Sequence, residues 1–176
     1  MGHAKENPFY GYLDFLNKMN ELSEDEKLIY SGIGREFLTL IETTEMQKVY
    51  KMPILYSFYN DGNIRLDVKE EEVLETWKKF FDEGTNWKDF ASDLSYEEYK
   101  AIPDKKHLQK AKTMPIKYLK KSGNGFFTEK EGYAIAISDK MKDVIENETF
   151  KIHMKDILEY RTMEYYRRRY RAKDNL

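Results

Sequence analysis

The chain has 176 residues, 40% hydrophobic and 35% charged, with a formal net charge of −2 and no cysteine. That length allows one well-buried core, or a core with a small appendage, and without Cys neither a disulfide framework nor a thiolate metal site can form. No apolar run approaches the ~20 residues that span a bilayer and the opening Met1-Gly2-His3 lacks the shape of a signal peptide, so a soluble cytoplasmic protein is expected.

In chain order, residues 8–22 carry Phe9, Tyr12, Leu13, Leu16 and Met19 at helical spacing. Ser23-Glu24-Asp25-Glu26 has capping-box form and predicts a short helix through Tyr30, which Ser31–Gly34 breaks. Arg35–Tyr50 reads as helix again, with Phe37, Leu38, Ile41 and Val49 inside and Thr43-Thr44 as an interruption. Pro53 opens the next helix, where a missing N–H costs little, and Ile54, Leu55 and Phe58 form its buried side. Asn60–Asn63 is a turn. Ile64, Leu66 and Val68 then alternate with Arg65 and Asp67, the pattern of a half-buried strand.

The clearest helix is 69–83: Val73, Leu74, Trp77, Phe80 and Phe81 form one stripe, and Glu70, Glu71 and Glu72 sit where the helix dipole favours them. Residues 84–95 read as a loop or insertion, 96–112 as helix, and Pro115 as the start of a separate short helix ending near Lys121. Gly123 and Gly125 stop it. Phe126–Thr128 and Tyr133–Ile137 flank a Glu131-Gly132 turn as a β-hairpin. Residues 139–172 are mostly helix, with a break near Asn147. The expected fold is α+β and predominantly α. A winged-helix-like domain over 51–138 (helix, strand, helix, helix, hairpin) follows an N-terminal helical segment, 1–50. A C-terminal basic helix, 139–176, is expected to pack on the same core.

Catalytic patterns are missing. There is no GxxxxGK(S/T) phosphate loop, and Gly32-Ile33-Gly34 lacks the third glycine and the preceding strand of a dinucleotide fingerprint. His153-Met154-Lys155 mimics the start of a phospholipase-D-type motif, but Tyr160 stands where that motif needs Asp. Pro103-Asp104 lies at a helix start, where capping is the better role, rather than on the separated strands that hold Mg²⁺ in nucleases. No enzyme, no cofactor and no metal site are expected.

Charge is distributed unevenly. Lys105, Lys106, Lys110, Lys112, Lys117, Lys120 and Lys121 face one acid, Asp104, giving +6 over 104–121. Arg161, Arg167, Arg168, Arg169, Arg171 and Lys173 against Glu164 give +5 over 161–173, which leaves about −13 elsewhere. Together with Lys130 in the wing these side chains are the candidate contacts to phosphate; a solvated helix face is the plain alternative. Arginine adds a planar bidentate donor, and the interleaved tyrosines can stack or buttress it. Asn124, Thr128 and Lys130 are the candidate base readers in the hairpin, too few for a base-reading constellation. The Phe126-Phe127 pair belongs in the core.

Several short blocks add a family resemblance. Glu42-Thr43-Thr44-Glu45-Met46, then Tyr50-Lys51-Met52-Pro53, resembles the ETTxMxKxYK(I/M)P stretch of bacterial DEAD/DEAH-box superfamily-2 helicases, common in Gram-positive bacteria and associated with restriction and defence. Pro115-Ile116-Lys117-Tyr118-Leu119 is similar to their NP(I/V)xFL turn, with Met114 in place of Asn. Asp156–Arg161 and Tyr165–Tyr170 resemble their closing DI(I/V)EYRxxxYYxRRY run. The likeness covers roughly residues 30–171. It implies an accessory region that follows an ATPase core and carries none of its motor motifs. The expected function is a non-catalytic module that binds nucleic acid, duplex DNA in preference, for a helicase or restriction-type machine. Docking onto a helicase core or partner subunit is the alternative, and an unrecognised nuclease the third reading.

Overall fold

The computed structural model describes residues 11–174, with side chains to Ala172. Phe9 and the side chain of Lys173 lie outside the described residues. The fold is α+β and mostly helical, and the three consecutive segments expected from sequence resolve into two compact units.

The first unit is Met1–Glu45 with Asp139–Leu176. Its helices are α1 (Tyr12–Lys18), α2 (Glu24–Tyr30), α3 (Ile33–Thr43) and, after a 3-10 turn at Asp139–Met141, α10 (Glu148–Asp174), the intervening helices belonging to the second unit. Ser23 and Glu26 form the expected capping box: Glu26 N donates to Ser23 Oγ at 3.2 Å and Ser23 N to Glu26 Oε2 at 2.9 Å. Gly34 lies inside α3 rather than in a break. A Cβ there would stand 3.0 Å from Val144 Cγ1, so the glycine sets how closely the following chain approaches. The helix stops at Thr43, and the run expected to Tyr50 is interrupted there. Asn147 Oδ1 accepts from Phe150 N at 2.9 Å, which caps α10 and explains the break read at that residue. The helix α10 packs on α2 and α3, with Phe150 against Phe37, ring centroids 6.0 Å apart.

Met46–Ser138 forms the second unit. Its elements are α4 (Lys51–Tyr59), β1 (Asp67–Val68), α5 (Glu70–Asp82), α6 (Trp87–Phe90), α7 (Tyr96–Lys100), α8 (Asp104–Ala111), α9 (Lys117–Ser122), β2 (Phe127–Thr128) and β3 (Ile135–Ile137). Pro53 sits in the first turn of α4, where its missing donor is harmless. Among the described residues the strands make one antiparallel sheet in the order β1-β3-β2. Asp67 pairs with Ala136 and Val68 with Ile135, while Phe127 pairs with Ile137 and Thr128 with Ala136. The alternation read from sequence has the right phase, with Ile64 and Val68 buried, though only two residues pair.

Two expectations need correction here. The loop 84–95 contains the short helix α6, held because Phe90 packs on Trp77 and Phe81. The single helix expected over 96–112 is two helices. Pro103 disfavours helical backbone at Ile102 and starts α8 as its N-cap, while a capping box, Ser95 with Glu98, opens α7 where the helix was expected to begin. Val73, Trp77, Phe80 and Phe81 of α5 are buried as expected and form the centre of this unit, with Phe126 and Phe127 also inside.

Candidate nucleic-acid interface

The basic segment 104–122 is not two helices separated at Pro115. Helices α8 and α9 are joined by a π turn over Lys112–Ile116, with helical backbone on both sides. Proline has no N–H and its ring crowds the carbonyl four residues back. A wider turn that bonds five residues along accommodates both. The consequence is a change of period. His107, Ala111, Pro115, Leu119 and Gly123 are buried at a constant spacing of four. A plain α-helix drifts off that spacing within a few turns; the π turn absorbs the excess residue.

Two anchors hold the buried face. The His107 ring stacks on Phe90 with centroids 4.6 Å apart, and burial pushes its pKa down, favouring the neutral ring. Gly123 caps the helix, and only glycine fits there, because a Cβ would lie 2.4 Å from Leu119 O and 2.6 Å from Phe127 Cδ2. No other residue lets the helix pass so close to β2.

Residues two positions away from the buried set face outward: Lys105, Gln109, Thr113, Lys117 and Lys121, all exposed. Lys105, Lys106, Lys117 and Lys121 have no ion-pair partner among the described residues. The other lysines of the cluster are already engaged. Lys112 pairs with Glu70, Lys130 pairs with Asp67, and Lys120 Nζ lies 2.7 Å from Glu129 Oε1. The hydrogen bond from Lys120 holds Glu129 below its ordinary pKa. Lys110 is half-buried, with Nζ 4.8 Å from the Phe90 ring centre and 5.3 Å from that of Tyr50. Burial lowers its pKa. Lys110 is therefore a packing residue, and its stem is not on the outward face.

The arginine cluster lies in the other unit and divides similarly. Arg161 is only 9% exposed; its Nη1 donates to Ile41 O at 3.1 Å and Glu42 O at 2.8 Å, closing the C-terminal end of α3. It is a structural residue, not a surface contact. Arg168 Nη2 lies 2.6 Å from Oε1 of the buried Glu164, and Arg169 Nη1 donates to Tyr165 Oη at 3.5 Å. Arg167 and Arg171 are exposed, without an ion-pair partner among the described residues. His153, read as a half-exposed helix residue, is buried with Nε2 3.0 Å from Glu26 Oε1.

Sequence reading passed over Gln109 and Thr113, which stand in the middle of the outward face. The signal was present in the four-residue recurrence from His107 to Gly123. It also passed over Glu42, a residue only 6% exposed whose carboxylate accepts from Gly11 N at 2.6 Å. Burial raises its pKa to about 7. Among the described residues no group of three or more His, Asp or Glu side chains is placed to hold a metal, and no helix is long and apolar enough to cross a membrane. No family model, no curated protein and no solved structure matches the chain.

Proposed function

We propose that residues 46–138 are a winged-helix module that binds duplex DNA mainly through its phosphates, as the accessory part of a helicase or restriction-type machine. Support for the winged-helix reading comes from the order α4, β1, α5, α8–α9, β2, β3 and from the sheet order β1-β3-β2. On that reading α6 and α7 are an insertion, α8–α9 is the recognition helix, and the loop 129–134 between β2 and β3 is the wing. A recognition helix enters the major groove while flanking cations hold the backbone.

The observation that carries the proposal is the exposed set Lys105, Lys106, Lys117 and Lys121, on the helical segment directly before the hairpin, without acidic partners among the described residues. Cations left unneutralised in a chain of net charge −2 are suited to a polyanion. Arg167 and Arg171 add a second basic surface on the other unit. The resemblance to the C-terminal regions of helicases supports a motor in the same polypeptide or complex. Titration of a mixed-sequence duplex of about 20 base pairs at several salt concentrations tests the reading, since each phosphate neutralised adds about −0.9 to the log–log slope. Absence of binding at about 50 mM salt by the folded protein overturns it.

A second reading, docking onto a helicase core or partner subunit, is favoured by α10. Ile152, Met163 and Tyr170 are 58%, 59% and 49% exposed. Their spacings of eleven and seven residues put them on one side of the helix. An apolar stripe of that kind suits a protein partner.

A further inference from the structure

The geometry points to Gln109 as a base-reading residue that selects adenine in the major groove, with Thr113 and Met114 favouring a neighbouring thymine. This rests on the duplex-binding reading given above and goes beyond it, since phosphate contacts alone carry no sequence information.

The outward face of the helix has an ordered composition. Lysines stand at its ends, Lys105 on one side and Lys117 and Lys121 on the other, and the uncharged Gln109 and Thr113 stand between them. Sixteen residues at about 1.5 Å each spread the end lysines over about 24 Å. A helix laid in a groove therefore brings its ends to the two phosphate walls and its middle to the base edges.

The middle residues have matching chemistry. The side-chain amide of Gln109 has a donor and an acceptor, is exposed, and has no hydrogen-bond partner among the described residues; only its main-chain carbonyl is used, by Thr113 Oγ1 at 2.8 Å. One donor and one acceptor side by side complement N7 and N6 of adenine, a pattern that no other base presents in the major groove. The bond to the Gln109 carbonyl occupies the Thr113 hydroxyl proton, so Thr113 brings no free donor to a base and meets it through its methyl group. Met114, 42% exposed, is the apolar side chain next to it in the chain. Both suit the C5 methyl of thymine. Base contacts of this kind need the helix to be unbroken, and the π turn at Lys112–Ile116 keeps Gln109 and Lys117 on one face.

The test is selection of bound duplexes from a randomised pool by the full chain, with Gln109→Ala beside it. Enrichment of a fixed adenine by the wild-type chain, lost in Gln109→Ala, is expected. The selected duplex should bind the variant about tenfold more weakly, within the range for one bidentate pair. A second measurement does not depend on the variant's folding: replacing the selected adenine by 7-deazaadenine removes the N7 acceptor, and should weaken wild-type binding several-fold. Binding with no base preference, or a preference kept by Gln109→Ala, or indifference to 7-deazaadenine, overturns the assignment and leaves phosphate-based binding standing. Absence of binding to any duplex overturns both.

Discussion

Arg161 Nη1 lies 2.8 Å from the main-chain oxygen of Glu42, and the same residue, Glu42, uses its buried carboxylate to receive Gly11 N at 2.6 Å. Three helices of the first unit thus meet at one point. α3 ends there, α10 supplies the guanidinium that satisfies its last carbonyls, and α1 begins on the carboxylate. Helix ends leave such groups without partners unless a side chain provides them.

Replacing Arg161 with Ala removes its donor from the carbonyls of Ile41 and Glu42 at the end of α3. Each costs about 1–3 kcal/mol when left unpaired, so a loss of roughly 2–6 kcal/mol is expected. Arg167→Ala, at an exposed position, should change stability by less than about 0.5 kcal/mol. Both tryptophans, Trp77 and Trp87, belong to the second unit, so their fluorescence reports most directly on that unit. Hydrogen exchange of α3 amides is the appropriate measurement. Equal protection in the two variants would remove Arg161 from its structural role.

Glu42 makes the first unit sensitive to pH. Its pKa is about 7 in the folded protein against 4.5 for the free side chain, so the folded state holds the proton more tightly. Stability from this group is complete below about pH 4.5 and declines as pH rises towards 7. A change of that size corresponds to at most about 3 kcal/mol. Glu42→Gln retains an acceptor for Gly11 N and cannot ionise. Exchange protection of α3 should fall between pH 5 and pH 8 in the wild-type protein and stay level in the variant, apart from the intrinsic rate change. A parallel decline in both would assign the effect elsewhere.

The π turn behaves as one extra residue in an otherwise regular helix. Deleting Met114, which is exposed, should return the segment to a 3.6-residue period with the same positions buried. In that tighter helix Pro115 loses the space that accommodated it, and deletion alone should cost about 3 kcal/mol. Combined with Pro115→Ala, the deletion should recover most of that loss. Urea unfolding followed by tryptophan fluorescence measures it. No recovery in the double change would mean that the wide turn has a packing role of its own.

Lysines that differ in engagement should differ in binding. Changing Lys105, Lys117 and Lys121 together to Ala should make the log–log salt slope shallower by about 2.7, at about 0.9 per contact. The matched triple at Lys112, Lys120 and Lys130 removes charges already paired with Glu70, Glu129 and Asp67, and its slope should change by less than about 1. Arg167, Arg168 and Arg169 changed together report the contribution of the other unit. Equal effects of the two lysine triples would show that pairing does not decide which cations reach phosphate.

Much of the local architecture was legible in the residues. The Ser23–Glu26 box, the stripe of α5, the hairpin and the burial of Phe126 and Phe127 follow from spacing and capping alone. The split at Pro103 was legible too, from the proline itself, which a long helical stripe concealed. The helix α6 was not, because four residues show no period of their own and it is held by residues distant in sequence, Trp77, Phe81 and His107 among them.

The division of the positive charges is of another kind. Sequence by itself determined where they cluster, and that the clusters fall on helices, because charge counting and periodicity act within a few residues. Which of them remain available was decided only by the tertiary structure. Lys112 meets Glu70 across 42 positions, Lys130 meets Asp67 across 63, and Arg161 meets Ile41 across 120. Pairings that distant arise from how helices pack, and packing brings together residues that no local pattern relates.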